Sequence, residues 1–345
     1  SICSNAIAVD HNIANQLAIT QQPSTTAEAG IALVTQPSVQ ILDVYNNYVD
    51  DGAHDLSVTP WTTSDCSTMM SLGNTTYSAP TTSSGTTTFT DIIHRKMENI
   101  FYKISSGVLA TVCTDNIAVD HTTANKITIN QQPATTAIAG VDFSTQPAFD
   151  IRDQYDNLVD DGAHTISLAA FTDSNCSATS GGTFNSTPAA TNSGALTFSN
   201  VDHQKMETIY LEATALGLQP ICTSSIAVDH NTANQITIAT QPSSTAIAGV
   251  NFTTQPAYNI RDIFNNLVDD GAHTISLEAY TNIGCTVSSG GTFNQTAKIS
   301  SSGSATFSGT NHEKMESIYL KANATGLTSI CSNAIAVDHN IANQL

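Results

Sequence analysis

All ten histidines of the chain fall in three short motifs that also contain acidic residues. The motif IAVDH occupies residues 7–11, 117–121, 226–230 and 335–339, DDGAH occupies residues 50–54, 160–164 and 269–273, and H-x-K-M-E occupies residues 94–98, 203–207 and 312–316. Imidazole nitrogens and carboxylate oxygens bind metal ions, and the same groups transfer protons in catalysis. The motifs are therefore compatible with two kinds of chemistry, metal binding and acid–base catalysis, and the rest of the sequence has to distinguish between them.

Catalysis finds little support in these motifs. The chain contains no G-x-S-x-G nucleophile elbow and no glycine-rich phosphate loop. An identical site in every one of several tandem units is unusual for an enzyme and natural for a structural unit. The sequence therefore predicts a protein that is not an enzyme.

The whole chain repeats with the period of these motifs. IAVDH starts at residues 7, 117, 226 and 335, which are intervals of 110, 109 and 109 residues. This period predicts three domains at residues 12–121, 122–230 and 231–339, preceded by the last strand of another repeat at residues 1–11 and followed by the start of a further one at residues 340–345. Residues 1–17 and 329–345 are identical. We therefore expect this chain to be a section of a longer protein in which a group of three domains also repeats.

The seven cysteines follow the same period. Within each repeat, one cysteine lies in the middle and one lies near the end, which predicts these disulfide pairs: Cys66 with Cys113, Cys176 with Cys222, and Cys285 with Cys331. Cys3 is left over, because its partner would belong to a preceding repeat. Reduced buried thiols are the alternative, but no C-x-x-C pair of the metal-binding type occurs. One disulfide per domain indicates an oxidising, extracellular compartment.

Apolar residues alternate with polar ones along much of each repeat. In the third repeat the alternating positions are Phe252, Thr254, Pro256, Tyr258 and Ile260, then Ile275, Leu277 and Ala279, then Ile318, Leu320 and Ala322, and finally Ile335 and Val337. A period of two is typical of antiparallel strands that are buried on one face. Turn-forming segments separate these runs, at residues 265–271, 289–291 and 301–303. The pattern predicts an all-β chain of three tandem immunoglobulin-like β-sandwich domains in a rod-like array.

The composition limits the partners. The formal charge is −19, from 29 acidic and 10 basic side chains, and only 11% of the residues are charged. A nucleic-acid or anionic-membrane surface would need a basic patch, so we expect neither partner. No apolar run is long enough for a membrane span. A weakly charged surface that is rich in threonine and serine favours an extracellular or cell-surface protein.

A resemblance supports this interpretation. The block TQPSSTAIAG at residues 240–249 is followed by TQPAY at residues 254–258 and by IRDIFNNLV at residues 260–268. Together they resemble the tandem bacterial immunoglobulin-like (Big-type) repeats of giant extracellular surface proteins and adhesins. That resemblance implies a turn with glycine where this chain has Asn46, Asp156 and Asn265, three residues that tolerate a positive φ. It is specific for the fold and weak for function, because such repeats serve as stalks, fibres and adhesive tips alike.

An immunoglobulin-like path would bring the histidine motifs together at each domain junction. The candidate ligands between the second and third domains are His203, Asp229, His230, Asp269, Asp270 and His273. One interpretation is a Ca²⁺ ion that bridges adjacent domains, with zinc as a weaker option. The alternative is that the motifs are turns and linker caps whose histidines satisfy local hydrogen bonds. No EF-hand loop occurs, and no cofactor is required in either case.

The sequence as a whole predicts a structural section of a giant extracellular repeat protein that forms a rod, stalk or filament. The expected partner is the protein itself, through tandem contacts and through lateral association. The alternative function is an adhesin module that binds a glycan or a protein of a host or neighbouring cell. Loops that are similar from repeat to repeat favour the structural role, although the first repeat differs from the other two around Trp61.

Overall fold

The structure is a computed structural model, and it describes residues 2–50, 52–82 and 84–340. Strands dominate these residues, and the one helix among them is a single 3-10 turn at Leu72–Asn74. None of the described residues forms a helix with the length and apolar character that crossing a membrane requires. The β-branched, threonine-rich sequence thus forms strands, as its composition predicts.

The strands of the first domain are β1 (Ala14–Gln21), β2 (Thr26–Glu28), β3 (Ser38–Asp43), β4 (His54–Asp55), β5 (Ser57–Trp61), β6 (Thr75–Ser78), β7 (Thr81–Thr82), β8 (Thr86–Thr88), β9 (Thr90–His94), β10 (Glu98–Ser105), β11 (Val112–Cys113) and β12 (Ile117–Asp120). Those of the second are β13 (Lys126–Gln131), β14 (Thr136–Ile138), β15 (Ala148–Arg152), β16 (Thr165–Phe171), β17 (Phe184–Asn185), β18 (Ala189–Ala190), β19 (Ala195–Thr197), β20 (Asp202–His203), β21 (Glu207–Thr214), β22 (Ile221–Cys222) and β23 (Ile226–Asp229). Those of the third are β24 (Gln235–Thr240), β25 (Thr245–Ile247), β26 (Ala257–Arg261), β27 (Thr274–Tyr280), β28 (Phe293–Asn294), β29 (Lys298–Ile299), β30 (Ser304–Thr306), β31 (Asn311–His312), β32 (Ser317–Asn323), β33 (Ile330–Cys331) and β34 (Ile335–Asp338).

Each domain is built from two sheets that pack face to face. In the second domain one sheet has the order β13-β15-β19, and the other has the order β14-β23-β21-β16-β18 with β22 paired to β21. The third domain repeats this arrangement with β24-β26-β30 and β25-β34-β32-β27-β29. Each domain also has a two-stranded pair, β6 with β9, β17 with β20 and β28 with β31, and the first domain differs in that β4 and β7 form a further separate pair. The chain is therefore all-β, with three tandem immunoglobulin-like β-sandwich domains.

The last strand of every domain pairs in parallel with a short strand near the start of that domain. The chain leaves β13 in one sheet and crosses to the other, where β14 pairs in parallel with β23 from Thr136↔Ala227 to Ile138↔Asp229. The last strand thus lies between the short crossing strand and the long strand β21, to which it is antiparallel. This last strand, β23, ends at Asp229. The point at which the chain leaves the second domain therefore lies beside the loop that follows β14.

Alternation along the strands builds a separate core in each domain. Tyr258 and Ile260 are fully buried, as are most of the other alternating positions predicted for the third repeat. Thr254 is the exception: it is exposed, because it lies in the bend before β26 and not in the strand itself. Tyr258 and Phe307 pack edge to face, with ring centroids 5.9 Å apart. Because each domain buries its own cluster, each can fold as a unit.

Disulfides link the end of each domain to a mid-domain loop. The pairs are Cys66–Cys113, Cys176–Cys222 and Cys285–Cys331, as the spacing predicts, with Cα atoms 6.2, 6.2 and 6.3 Å apart. Within the part of the chain that the structure describes, Cys3 is exposed and forms no disulfide. In the second domain the bridge joins β22 to the loop that follows β16. The other two bridges join β11 to the loop after β5 and β33 to the loop after β27. Each bridge therefore encloses a large part of its own sandwich.

The segment before the first domain forms no strand. Residues 2–13 carry the same IAVDH motif as β12, β23 and β34, yet Ile7 and Val9 are 82% and 90% exposed. The described residues of this segment therefore pair with no other strand. Ser1 and residues 341–345, part of the expected flanking repeats, lie outside the described residues.

Candidate functional site

The residues predicted to do chemistry lie at the junctions between domains. Between β12 and β13 only residues 121–125 connect the first domain to the second, and between β23 and β24 only residues 230–234 connect the second to the third. Linkers this short bring the end of one sandwich against the loops of the next. The contacts across each junction therefore decide how freely the domains move.

A buried aspartate organises the loop that each domain presents to its predecessor. Asp153 directly follows β15, and its carboxylate accepts four hydrogen bonds: from the backbone N–H of Thr122 (3.1 Å), Tyr155 (2.8 Å) and Asn157 (2.9 Å), and from the side-chain amide of Asn157 (2.9 Å). Thr122 belongs to the linker, so one side chain fixes both the loop and the linker. Asp43 and Asp262 make the corresponding contacts in the other domains.

The turn within this loop needs a left-handed residue. Asn46, Asp156 and Asn265 have φ values of 66°, 69° and 70°. Asparagine and aspartate tolerate this region because their short polar side chains form local hydrogen bonds. The replacement of the turn glycine therefore preserves the turn, as the sequence predicts.

An aromatic ring from this loop fills a gap in the preceding domain. Tyr155 packs on the core of the first domain beside Gly30, and Phe264 packs on the core of the second beside Gly140. A Cβ atom on either glycine would overlap the ring, and both glycines have a positive φ, of 79° and 70°. Only glycine therefore combines the backbone turn with room for the incoming ring. We call this arrangement of ring and glycine the ring contact.

An asparagine next to the ring bonds to the backbone of the preceding domain. The side-chain O of Asn157 accepts the N–H of Met97 at 2.8 Å, and its amide donates to the carbonyl O of Arg95 at 2.8 Å. Asn266 makes the same two contacts with Met206 and Gln204, both at 2.8 Å. The H-x-K-M-E loop thus reaches the next domain through its backbone. We call these paired hydrogen bonds the asparagine clamp.

Histidine and aspartate side chains form a polar cluster beside the ring contact. His230 Nδ1 is 2.8 Å from the carbonyl O of Asn231, which makes Nδ1 the donor and turns Nε2 toward three carboxylates. Nε2 lies 3.9 Å from Asp229, 3.5 Å from Asp269 and 3.4 Å from Asp270. The His230 side chain is only 8% exposed. His121 forms the same cluster with Asp120, Asp160 and Asp161 in the first junction.

The electrostatics of this cluster favour a positive charge at the imidazole. Burial acts to lower the pKa of His230, but the contact with the carbonyl of Asn231 and the carboxylates of Asp229, Asp270 and Asp269 together raise it above the ordinary value of 6.5. The pKa of His121 is raised by the same kinds of group. A neutral imidazole would point a lone pair at the carboxylates, so a proton or a cation is needed there to avoid repulsion.

The structure brings together part of the predicted ligand set. Ligand atoms of Asp229, His230 and Asp269 all lie within 4.8 Å of one another, and those of Asp120, His121 and Asp160 do the same. His273 lines the same cleft as His230 and Asp270.

His203, in contrast, does not belong to the cluster. Its imidazole is fully buried inside the second domain, with Nε2 3.0 Å from Glu207. Successive residues of a strand face opposite sides, so in β20 the half-buried Asp202 faces outward and His203 faces the core. The assignment of His203 to the ligand set is therefore wrong.

Sequence reasoning missed the ring contact and the asparagine clamp. The signal was present, because an aromatic residue and an asparagine follow the aspartate at the same spacing in all three repeats: Tyr45 and Asn47, Tyr155 and Asn157, Phe264 and Asn266. Nothing in one sequence reveals, however, which residues of the neighbouring domain these side chains contact.

Acid should weaken the loops that carry these contacts. Burial acts to raise the pKa of Asp153, but the hydrogen bonds to its carboxylate outweigh this effect and hold the pKa below 3.8. Similar contacts lower the pKa of Asp43 to about 2. A depressed pKa in the folded state stabilises the protein above the unfolded pKa, and this stabilisation is lost as the pH falls from about 4 toward 2. Thermal unfolding followed from pH 7 to pH 2 should therefore show a steeper loss below pH 4 for the wild type than for Asp153→Asn.

The control for the acid experiment is Asp115→Asn, which removes one exposed charge away from the junctions. This variant should follow the wild-type pH profile. If Asp153→Asn and the wild type lose stability in parallel below pH 4, the carboxylate of Asp153 does not hold the loop in the way described.

Similarity to known proteins is found only among solved structures. No family model matches the chain, and no curated protein sequence matches it. Among solved structures, the chain is similar to InvD of Yersinia pseudotuberculosis (15% identity, TM-score 0.36, covering 93% of this chain and 96% of that one) and to the "I-band fragment I67-I69 from titin" (9% identity, TM-score 0.34, 94% and 98%). It is also similar to domains 4–9 of the surface layer protein SbsC (10% identity, TM-score 0.27, 95% and 48%).

Proposed function

We propose that the chain is a structural section of an extracellular rod, stalk or filament, in which tandem sandwiches stack end to end and no reaction is catalysed. The observation that carries the proposal is the repetition of one junction. Both junctions contain a ring contact, an asparagine clamp and a histidine cluster at equivalent positions. A contact that is kept from one junction to the next is what a rod of constant geometry requires.

The chemistry of the chain supports a location outside the cell. Three disulfides persist only where the surroundings are oxidising. The charge of −19 keeps such a surface soluble and discourages binding to nucleic acid and anionic lipid.

Small-angle X-ray scattering of the intact chain tests the rod. Sandwiches whose strands rise about 3.3 Å per residue are on the order of 40 Å long, so a stacked chain of three should reach on the order of 120 Å. We expect a single narrow maximum dimension near this length. A broad distribution with a much shorter mean, typical of domains that swing freely, would contradict the proposal.

A second part of the proposal concerns the histidine cluster, which we propose binds a divalent cation across each junction, with Ca²⁺ as the expected ion. Support comes from the geometry: an almost fully buried imidazole nitrogen faces three carboxylates contributed by two adjacent domains. Asp229 belongs to the end of the second domain, whereas Asp269 and Asp270 belong to the third. A bound cation would therefore stiffen the junction.

Calcium removal tests the cation. If Ca²⁺ binds the folded chain alone, a concentration about one hundred times its Kd should stabilise a junction by about 2.7 kcal/mol, and excess EDTA should remove this gain. The double substitution Asp269→Asn/Asp270→Asn should reduce the calcium-dependent rise in Tm, whereas Asp115→Asn should leave it unchanged. Equal Tm values in Ca²⁺ and EDTA would show that a proton on the histidine, and no metal, balances the carboxylates.

A further inference from the structure

The two internal junctions differ at one position beside the histidine cluster. Glu28 is the last residue of β2, and Ile138 is the last residue of β14. Each lies in register with the aspartate that ends the last strand of its domain, Glu28 with Asp120 and Ile138 with Asp229. Neighbouring strands are about 4.8 Å apart, so the side chain at this position lies next to a proposed ligand. That side chain is a carboxylate in the first junction and a hydrocarbon in the second.

The carboxylate of Glu28 belongs to the cleft of the first histidine cluster. Glu28 lines this cleft together with His121 and Asp161. Its Oε1 accepts a hydrogen bond from the hydroxyl of Thr122 at 2.7 Å, so the carboxylate reaches the linker that leads into the second domain. The first junction therefore has Glu28 in addition to the three aspartates of its cluster.

The imidazole of the first cluster is aimed at the space between these carboxylates. His121 Nδ1 is 2.8 Å from the carbonyl O of Thr122, so a neutral imidazole has its lone pair on Nε2. Nε2 lies 3.4–3.9 Å from the carboxylates of Asp120, Asp160 and Asp161, and the side chain is only 8% exposed. Within the described parts of the chain, Nε2 makes no hydrogen bond. A buried nitrogen in this position is suited to a cation held between the carboxylates.

Apolar side chains occupy the equivalent part of the second junction. Ile138 and Val141 line the cleft of His230, and they are 50% and 46% exposed. A further carboxylate, that of Asp142, lines a neighbouring groove to which Ile138 and Val141 also contribute, and it does not line the cleft of His230. The second cluster therefore has three aspartates and no counterpart of Glu28 in its cleft.

Both linkers are nevertheless anchored to the preceding domain. Thr122 donates its hydrogen bond to the carboxylate of Glu28, whereas the side-chain amide of Asn231 donates to the carbonyl O of Ala139 at 2.8 Å. Because a hydrogen bond holds the linker in each case, the charge in the cleft is the larger difference between the two junctions.

We propose that Glu28 is a further determinant of cation binding, so that the first junction binds Ca²⁺ more tightly than the second. This inference rests on the proposed binding of a divalent cation at both junctions and adds an order of loading to it. Calcium takes roughly six to eight oxygen ligands, and its affinity depends on how many of them are charged. One more carboxylate close to a divalent ion in a solvent-exposed cleft corresponds to about a tenfold change in Kd.

Unequal affinities make the stiffness of the chain depend on the calcium concentration in two steps. Between the two Kd values, Ca²⁺ bridges the first and second domains, while the second and third domains lack their cation and move more freely. At higher concentrations both junctions are bridged. The position of Glu28 thus determines which pair of domains stiffens first.

Calorimetric titration of the chelator-treated intact chain with calcium chloride tests the order of loading. We expect two binding steps whose Kd values differ by about tenfold. Asp160→Asn/Asp161→Asn should remove the tighter step, and Asp269→Asn/Asp270→Asn should remove the weaker one. Two steps of equal affinity, or the reverse assignment, would overturn the order alone. No calcium binding at either junction would overturn the proposed cation itself, so the two failures are distinguishable.

Reciprocal substitutions test the residue. Glu28→Ile should weaken the tighter step to the level of the other, and Ile138→Glu should tighten the weaker step by about tenfold. Both residues are exposed, so the Tm of each variant in EDTA should equal that of the wild type. Affinities that stay unchanged in both variants would show that this position does not determine calcium binding.

Two further variants separate the charge of Glu28 from its other effects. Glu28→Gln keeps an acceptor for Thr122 but removes the charge, and we expect it to bind calcium as weakly as Glu28→Ile does. Wild-type affinity in Glu28→Gln would mean that Glu28 only anchors the linker, which overturns the proposal. Asp142→Ala should change the weaker step far less than Ile138→Glu does. An equal change would show that the overall charge of the domain, and not the position beside the aspartate, determines the affinity.

Discussion

Removing the disulfide of the second domain with Cys176→Ser/Cys222→Ser should destabilise that domain by about 4 kcal/mol, because the bridge closes a loop of 46 residues in the unfolded chain. For a domain of this size, such a change corresponds to a fall in Tm of roughly 16–30 °C. Calorimetry of the intact chain checks this, since the first and third domains keep their disulfides and serve as internal references. Three transitions that remain at their wild-type temperatures would contradict the prediction.

The same disulfide should set how far the domain extends under force. Pulling on both ends of an oxidised domain cannot stretch the 46 residues that the bridge encloses. Single-molecule extension should therefore release a contour length shorter by about 160 Å in the oxidised second domain than in the Cys176→Ser/Cys222→Ser variant. Equal lengths would mean that the bridge does not form in the native protein.

Removing the ring and the clamp from the second junction should uncouple the second and third domains. In Phe264→Ala/Asn266→Ala, the loss of a half-buried ring costs about 1–2 kcal/mol. The two hydrogen bonds to Met206 and Gln204 contribute about 0.5–1.5 kcal/mol each. We expect a broader range of inter-domain angles in electron micrographs and a shorter mean dimension in solution scattering, because the short linker alone does not fix the angle.

The matched control for this prediction is Tyr45→Ala/Asn47→Ala at the outer end of the first domain. Asn47 bonds to Asp43 as Asn266 bonds to Asp262, so the control breaks the same contact within a domain and no contact between domains. The control should therefore keep the shape of the wild type. If both variants show the same broadened range of inter-domain angles, the conformation of the loop within a domain, and not the contact between the two domains, determines the angle.

How much of the fold follows from the sequence depends on the range of the interaction. Alternation along a strand is local, so residues such as Ile275 and Leu277 can be assigned to the core from their neighbours alone. The disulfide pairs follow from the repeat, because two cysteines per period leave one pairing within each domain. The positive φ of Asn265 follows from the turn in which it lies.

The histidines show where local reasoning fails. His203 and His230 both stand beside acidic residues in recurring motifs, and the motifs alone place both in one ligand set. The structure buries His203 against Glu207 and turns His230 toward Asp269 and Asp270. The direction in which a side chain faces at the end of a strand depends on the register and on the neighbouring domain, and neither is encoded in the spacing of a motif.

The sequence by itself determined the sandwich, its period of about 109 residues and its disulfides, since these depend on alternation, turns and cysteine spacing within one repeat. Only the tertiary structure decided which surfaces meet: that Tyr155 requires the bare backbone of Gly30, and that Asn157 binds the loop around Met97. The physical reason is distance along the chain. The ring contact and the asparagine clamp join residues that lie about 60 or more positions apart, and packing geometry alone selects them.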